Sequence, residues 1–290
     1  MDYPKTKVYF DGGHYIGIPH TEQHWKKRKN KTVIKDKREE KVKEIYKDIE
    51  GTTKKEKIEN TINKLNEEIQ NIELSKKIVN KTLEKEKRNR TTRYIRLIRK
   101  LRLQKWTHFC TFTYDSNKLT EEEFRDKFLN CIRHLSHRKG WKYIGVFERS
   151  PELKRLHFHG VFLIPEMVGE IIEIKDFSTK THQMQITLQN SFFLERFGRN
   201  DFRPINKHNI QDSIKYIIKY INKTGEKVVY SKHLQTFFIT DILEEDVVCT
   251  IGKEDRKILL FDDFYCLDFN TGEVLGKVNQ ELIDKLPKGF

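Results

Sequence analysis

Two histidines one residue apart, in the run LHFHG from Leu156 to Gly160, are the first groups whose type and spacing could do chemistry. Side chains alternate along a strand, so His157 and His159 share one face while Leu156, Phe158 and Phe162 take the other. Two adjacent imidazoles make a poor core but a good pair of metal ligands. One strand earlier, Glu148 ends WKYIGVFE on the face of Ile144 and Val146, and a hairpin would carry its carboxylate to the histidines. Two imidazoles and a carboxylate, with other positions open, suit Mg²⁺, Mn²⁺ or Zn²⁺ acting as a Lewis acid. Two surface histidines on an edge strand are the plainer alternative, and a bare H-x-H does not decide between them.

The second group is YIIKYINK, from Tyr216 to Lys223. At about 100° per residue, Ile214, Ile217, Ile218 and Ile221 form one helical stripe, and Tyr216, Lys219, Tyr220 and Lys223 fall opposite it. The isoleucines therefore supply the core, and the tyrosines and lysines are expected to face outward. A phenol, with a pKa of about 10, is a weak nucleophile at neutral pH. A neighbouring ammonium stabilises the phenolate, and a metal on a target phosphate lowers the barrier to attack. Tyrosine and lysine at i and i+3 match what phosphotyrosyl transfer requires. Tyrosines that only stack on nucleic-acid bases are the alternative.

These groups need elements to hold them. WTHFCTFTY (106–114) is rich in β-branched and aromatic residues and predicts a central strand. Thr120 and Glu123 stand at capping-box spacing, and Phe124, Phe128, Ile132 and Leu135 line one face of the helix that follows, ending near Gly140. WKYIGVFE and LHFHGVFLIP predict two strands joined by the polar turn RSPELKR. Residues 166–191 read as an insertion with an acidic-aliphatic helix and a β-like HQMQITLQ; SFFLERFG reads as a short helix and NDFRPIN as a short strand. Strand, helix, hairpin, helix, strand, helix is the order of an α+β domain built on an antiparallel sheet with flanking helices.

Either side of this segment the composition changes. Near the start, KVYFDGGHYIGIPH alternates around Gly12 and Gly13 as a short hairpin or arm would. Ile58, Ile62, Leu65, Ile69, Ile72, Val79 and Leu83 follow a heptad seam interrupted by Lys76, which predicts a long helix pairing with another. Val42, Ile45 and Ile49 form a shorter seam before Gly51, so an antiparallel helical hairpin and a self-associating coiled coil are both open. The basic run KRNRTTRYIRLIRKLRLQKW suits either a solvated face or DNA-backbone contact. From Lys227 the chain alternates like strands, with an NTG hairpin turn. The expected division is a basic helical region at 1–104, the chemistry-bearing domain at 105–226 and a β-rich extension at 227–290.

With 57 Lys+Arg against 43 Asp+Glu in 290 residues, the formal charge is +14, which attracts polyanions and nucleic acid first among them. The hydrophobic share of 36% is low for a chain globular throughout, so part of it should be solvated helix. Cys110, Cys131, Cys249 and Cys266 lack metal-site spacing, and no signal-peptide pattern opens the sequence. Reduced thiols in a cytoplasmic protein are expected. No apolar run approaches the length of a membrane span, and no G-x-x-x-x-G-K-[ST] is present to drive a fused motor.

Taken in order, FCTFTYD, then HFHG with an upstream glutamate, then YIIKYINK resemble the HUH endonucleases that initiate rolling-circle replication in single-stranded DNA phages and bacterial plasmids. The Tyr-x-x-Lys-Tyr-x-x-Lys pattern is similar to the double-tyrosine group, and ERFGRNDFRPIN resembles the helix and strand before its tyrosine helix. The resemblance covers Trp106 to Lys223 and implies a ferredoxin-like, RRM-like catalytic domain. It implies His157, His159 and Glu148 as ligands of Mg²⁺ or Mn²⁺, and Tyr216 and Tyr220 as nucleophiles, with Tyr216 the choice if only one acts. Lys219 and Lys223 would contact the scissile phosphate or the phenolate, and Thr111 and Thr113 would contact DNA. The implied activity is nicking and joining of single-stranded origin DNA through a 5′-phosphotyrosine, with a separate helicase and polymerase, in the bacterial host of a phage, plasmid or other mobile element. A single-strand transposase or relaxase shares this chemistry, although relaxases usually carry three histidines. A non-catalytic nucleic-acid-binding module is the alternative from another class.

Overall fold

The computed structural model describes residues 3–10, 14–20, 37–49, 53–150, 154–178, 182–206, 210–223, 227–251, 257–260, 264–267, 271 and 273–285. Gly12, Gly13, Gly51 and the middle of the RSPELKR turn lie outside them, as do the side chains of Tyr220, Ile221, Lys223 and Cys249. In chain order the elements are β1 (Tyr3–Phe10), β2 (Tyr15–Ile18), α1 (Lys37–Asp48), α2 (Lys54–Ile69), α3 (Ile72–Arg102), β3 (His108–Thr113) and α4 (Glu121–Lys139). Then come β4 (Lys142–Arg149), β5 (Leu156–Leu163), β6 (Ile171–Ser178), β7 (Gln183–Asn190), α5 (Ser191–Phe197), β8 (Asn200–Pro204) and α6 (Ile210–Lys223). The last are β9 (Val229–Tyr230), β10 (Phe238–Ile242), β11 (Val247–Ile251), β12 (Lys257–Leu260), β13 (Tyr265–Leu267), β14 (Val274–Lys277) and α7 (Gln280–Lys285). The architecture is α+β, with antiparallel sheets flanked by helices. Among the described residues no helix is long and apolar enough to cross a membrane.

The chain divides into two compact units, one of residues 1–20 with 97–290 and the other of 21–96. The larger unit is organised around a five-stranded sheet in the order β8-β3-β5-β4-β9, with β3 and β5 inside it. The predicted hairpin is present: β4 and β5 pair antiparallel with Glu148 opposite His157, Val146 opposite His159 and Gly145 opposite Gly160. The two glycines face the phenylalanine side, where an added Cβ on Gly145 would come within 2.4 Å of the Phe158 ring. Phe112, Phe158 and Phe162 there meet Phe124, Phe128 and Ile132 of α4 and Phe193 of α5, all at most 1% exposed. Each such side chain contributes roughly 1.5–3 kcal/mol of burial, so this layer holds the sheet flat against α4. The predicted capping box starts α4: Thr120 accepts from the Glu123 N–H and Glu123 accepts from the Thr120 N–H, while Gly140 closes the helix at φ +69°.

The opposite face carries a second core of Ile144 and Val161 from the sheet, Ile214 and Ile217 from α6, and Leu97, Leu101 and Trp106 from the end of α3 and the strand it leads into. The sheet is thus buried on both sides, and the site lies at the edge of this second layer.

Two elements differ from the sequence reading. The segment expected to hold an acidic-aliphatic helix is strand β6, paired with β7 from Ile171–Asn190 to Ser178–Gln183. Ile171, Ile172 and Ile174 are β-branched, and the partner strand tips a pattern that is ambiguous by itself. At the other difference, β1 and β2 do form a hairpin, but they complete a sheet with C-terminal strands in the order β10-β1-β2-β12-β11. Tyr3 pairs with Ile242 and Gly17 with Ile258, so the two ends of the chain share one core around Val8, Phe238, Ile258 and Phe264. Strand β9, just past the expected boundary at 226, is the edge of the central sheet, pairing Tyr230 with Ile144.

In the smaller unit the expected long seam is broken at Gln70, a left-handed C-cap at φ 53°, and Asn71 restarts the helix by accepting from the Leu74 N–H. Local capping therefore overrides heptad continuity. Lys41 with Glu68 and Tyr46 with Lys57 run α1 antiparallel to α2, and Lys43–Glu86 ties α1 to α3. The shared core is Val42, Ile45, Ile62, Leu65 and Val79.

Candidate active site

Register alone brings three polar layers together on one face of the sheet. Thr113 lies opposite His157 on β3 and β5, Thr111 opposite His159, and Glu148 opposite His157 on β4. The Thr113 hydroxyl is 2.7 Å from His157 Nδ1 and the Thr111 hydroxyl 3.1 Å from His159 Nδ1. Each imidazole is thereby oriented through Nδ1. With that nitrogen protonated and donating to the threonine oxygen, Nε2 keeps its lone pair. Burial holds both imidazoles neutral: it pushes His159 down to about 3, with His157 adding to it, and lowers His157 with help from Arg155 and Arg199. Neutral imidazoles are the form that ligates a metal.

His159 Nε2 stands 3.5 Å from Glu148 Oε2, and the two side chains are 14% and 16% exposed. Two donors bonded to one ion at about 2.1 Å with a tetrahedral angle would sit about 3.4 Å apart. The donor set of two imidazoles and a carboxylate therefore fits a divalent cation chemically. The set is not drawn closed: the imidazole centroids of His157 and His159 are 5.8 Å apart, and among the described residues no three His, Cys, Asp or Glu converge closely enough to hold a metal.

Tyr216 meets this cluster from α6. Its hydroxyl donates to Glu148 Oε2 at 3.2 Å, and its ring stands edge-on to His159, with centroids 5.3 Å apart, and to Phe109 at 5.4 Å. The expectation that Tyr216 faces outward is therefore corrected. Ile214 and Ile217 are the deepest residues of α6, while Ile218 and Tyr216 are both half-buried. The helix is rolled toward its tyrosine flank, because the sheet below offers a carboxylate for the phenol as well as aliphatics for the isoleucines.

Lys219, one turn from Lys215, is exposed on α6. Tyr220 and Lys223 occupy the next turn of the helix, with side chains outside the described residues. Thr111 and Thr113 are placed as partners of the histidines. Sequence reading missed Phe109, which carries the tyrosine ring, and the cations Arg155 and Arg199, which act on His157. Phe109 shares its face with Thr111 and Thr113 by alternation, a signal present in the sequence. Arg199 comes from the α5–β8 turn, where it pairs with Asp176, and no local pattern indicates it.

No curated protein and no solved structure matches the chain. Residues 107–225, the segment that contributes every group of this cluster, match the family model for replication-associated proteins of the ORF2 type, a similarity that supports a family of replication initiators.

Proposed function

We propose that this chain is a metal-dependent, site-specific single-strand DNA nickase and strand transferase that starts rolling-circle replication, with the double-tyrosine form of HUH chemistry. The observation that carries the reading is the Tyr216 hydroxyl held on Glu148 against the His159 ring, within the segment similar to replication-associated proteins. His157, His159 and Glu148 would hold Mg²⁺ or Mn²⁺, which when bound supplies Lewis-acid polarisation of the scissile phosphate.

The remaining steps belong to the chain. Tyr216 attacks phosphorus in line, and its proton passes to the Glu148 carboxylate that already accepts its hydrogen bond. The bond from phosphorus to the 3′-oxygen breaks, that oxygen takes a proton from solvent, and the 5′ end stays on the tyrosine. Lys219 and Lys223 lie one turn beyond each tyrosine to offset phosphate or phenolate charge, and Tyr220 serves the second cleavage. The bond energy is conserved in the phosphotyrosine, so the free 3′-OH can prime synthesis and later rejoin without ATP. Helicase and polymerase would be separate proteins in the bacterial cytoplasm.

Incubation of the full chain with end-labelled single-stranded DNA from the flanking locus and Mn²⁺ tests this. A covalent protein–DNA band is expected from the wild type and none from the Tyr216→Phe, Tyr220→Phe double variant. An adduct that survives in the double variant, or strand binding with no adduct in the wild type, would overturn the reading. The second of these results would leave a binding module.

A further inference from the structure

Strand β4 has a second end. Glu148 lies near its C-terminus, and Lys142 begins it on the same face by alternation, six residues or about 20 Å away. At that end a cavity of about 590 Å³ opens between the end of α4, the start of β4 and the β9 edge. Arg133, Lys142 and Lys232 line it together with His137 and His233, and no carboxylate does. Tyr230 adds an aromatic ring that is 47% exposed, paired with Ile144 and so on the face of Glu148. The Lys100 ammonium stands 3.4 Å from the centroid of that ring. The C-terminus of α4 contributes about half a negative charge nearby, which the three cations outweigh and which the basic last turn His137–Arg138–Lys139 already opposes.

We propose that this cavity is a second nucleic-acid contact, which takes the phosphate and base of a nucleotide in the same single DNA strand that reaches Tyr216. The inference rests on the proposed function for the identity of the strand. Cations without carboxylates select a phosphate, and an exposed tyrosine gives a base a surface to stack on. A volume of this size takes one nucleotide-sized group. The cavity has a single glycine, Gly140, in its lining and no glycine-rich loop of backbone N–H groups. A strand whose other phosphates are held elsewhere is therefore favoured over a free nucleotide. At the stacked rise of about 3.4 Å per nucleotide, 20 Å of β4 corresponds to about six nucleotides from the scissile phosphate.

Fluorescence anisotropy on the full chain, with labelled oligonucleotides centred on the cleavage site, tests the inference. Oligonucleotides reaching eight or more nucleotides past the site on the correct side should bind at least tenfold tighter than those reaching three. Arg133→Glu with Lys232→Glu, both at exposed positions, should remove that gain and flatten the salt dependence, and Tyr230→Ala should lower it at least threefold. The milder Lys232→Gln is the second variant should the charge reversal perturb folding, and its expected loss is smaller in the same direction. Unchanged length dependence and salt slope in all these variants would overturn the inference, as would competition by free dAMP equal to that of the long strand. Covalent-adduct yield at saturating oligonucleotide separates the two proposals. Adduct formation with affinity indifferent to the variants refutes the cavity alone. Variant-sensitive binding with no wild-type adduct refutes the chemistry and leaves the cavity standing.

Discussion

Gly145 is the point where a single methyl group should disturb the site from behind. A Cβ there would stand 2.4 and 2.5 Å from two carbons of the Phe158 ring and 2.6 Å from the His159 carbonyl oxygen. The ring cannot simply swing away, because its centroid is 4.9 Å from Phe128 and 5.0 Å from Phe147 in a fully buried layer. The carbonyl cannot move without β5, and Phe158 sits between His157 and His159 on that strand. Alanine in a strand gains about 0.5–1 kcal/mol over glycine from backbone entropy, whereas overpacking of this kind costs about 1–3 kcal/mol. Gly145→Ala is therefore expected to destabilise by about 1–2 kcal/mol, read as a lower urea midpoint at unchanged slope. Displacement of β5 should also lower covalent-adduct formation, even where the protein is fully folded. Phe158→Leu makes room at some cost of its own. The double variant should accordingly lose at least ~1 kcal/mol less than the sum of the singles. Additive losses, or a neutral Gly145→Ala, would show that the close approach of β4 to the ring does not constrain the sheet.

Three further outcomes are expected. Tyr216→Phe keeps the ring contacts with Phe109 and His159 and gives up one hydrogen bond, so stability should fall by about 0.5–1.5 kcal/mol by urea titration while adduct formation at the first cleavage is lost. In metal-free protein, His159 is depressed to about 3 and His157 is also lowered, so the unfolded chain binds more protons below its pKa of about 6.5. Stability is then fully present above pH 6.5 and falls as pH drops. The loss by pH 5.5 should be about 1 kcal/mol greater in wild type than in His159→Gln, and equal pH profiles would refute the neutral-imidazole assignment. Thr120→Ala removes the side-chain half of the α4 capping box and should cost about 1 kcal/mol in the same assay without changing adduct yield at saturating DNA.

Local patterns were legible where one element settled them. Alternation placed His157 and His159 on one face, the polar turn between two strands set Glu148 across from them, and Thr120 with Glu123 marked the start of α4. The apolar stripe of α6 was legible too, through Ile214 and Ile217. The strand nature of β6 was not, because isoleucines at 171, 172 and 174 suit either period until Gln183–Asn190 pairs with them. Nor was the break at Gln70, where a left-handed cap costs little and a heptad pattern continues on paper.

The sequence by itself determined which groups could do chemistry and on which side of their own strand or helix each lies, because periods of 2 and 3.6 are properties of a single element. Only the tertiary structure decided that Tyr216 turns inward to Glu148, 68 residues away, and that the threonines of β3 orient the histidines of β5. It also decided that β1 and β2 complete their sheet with strands beyond residue 237. Helix roll and strand order are set by the surfaces that distant segments present to each other, and no periodicity within one segment encodes what its partner will offer.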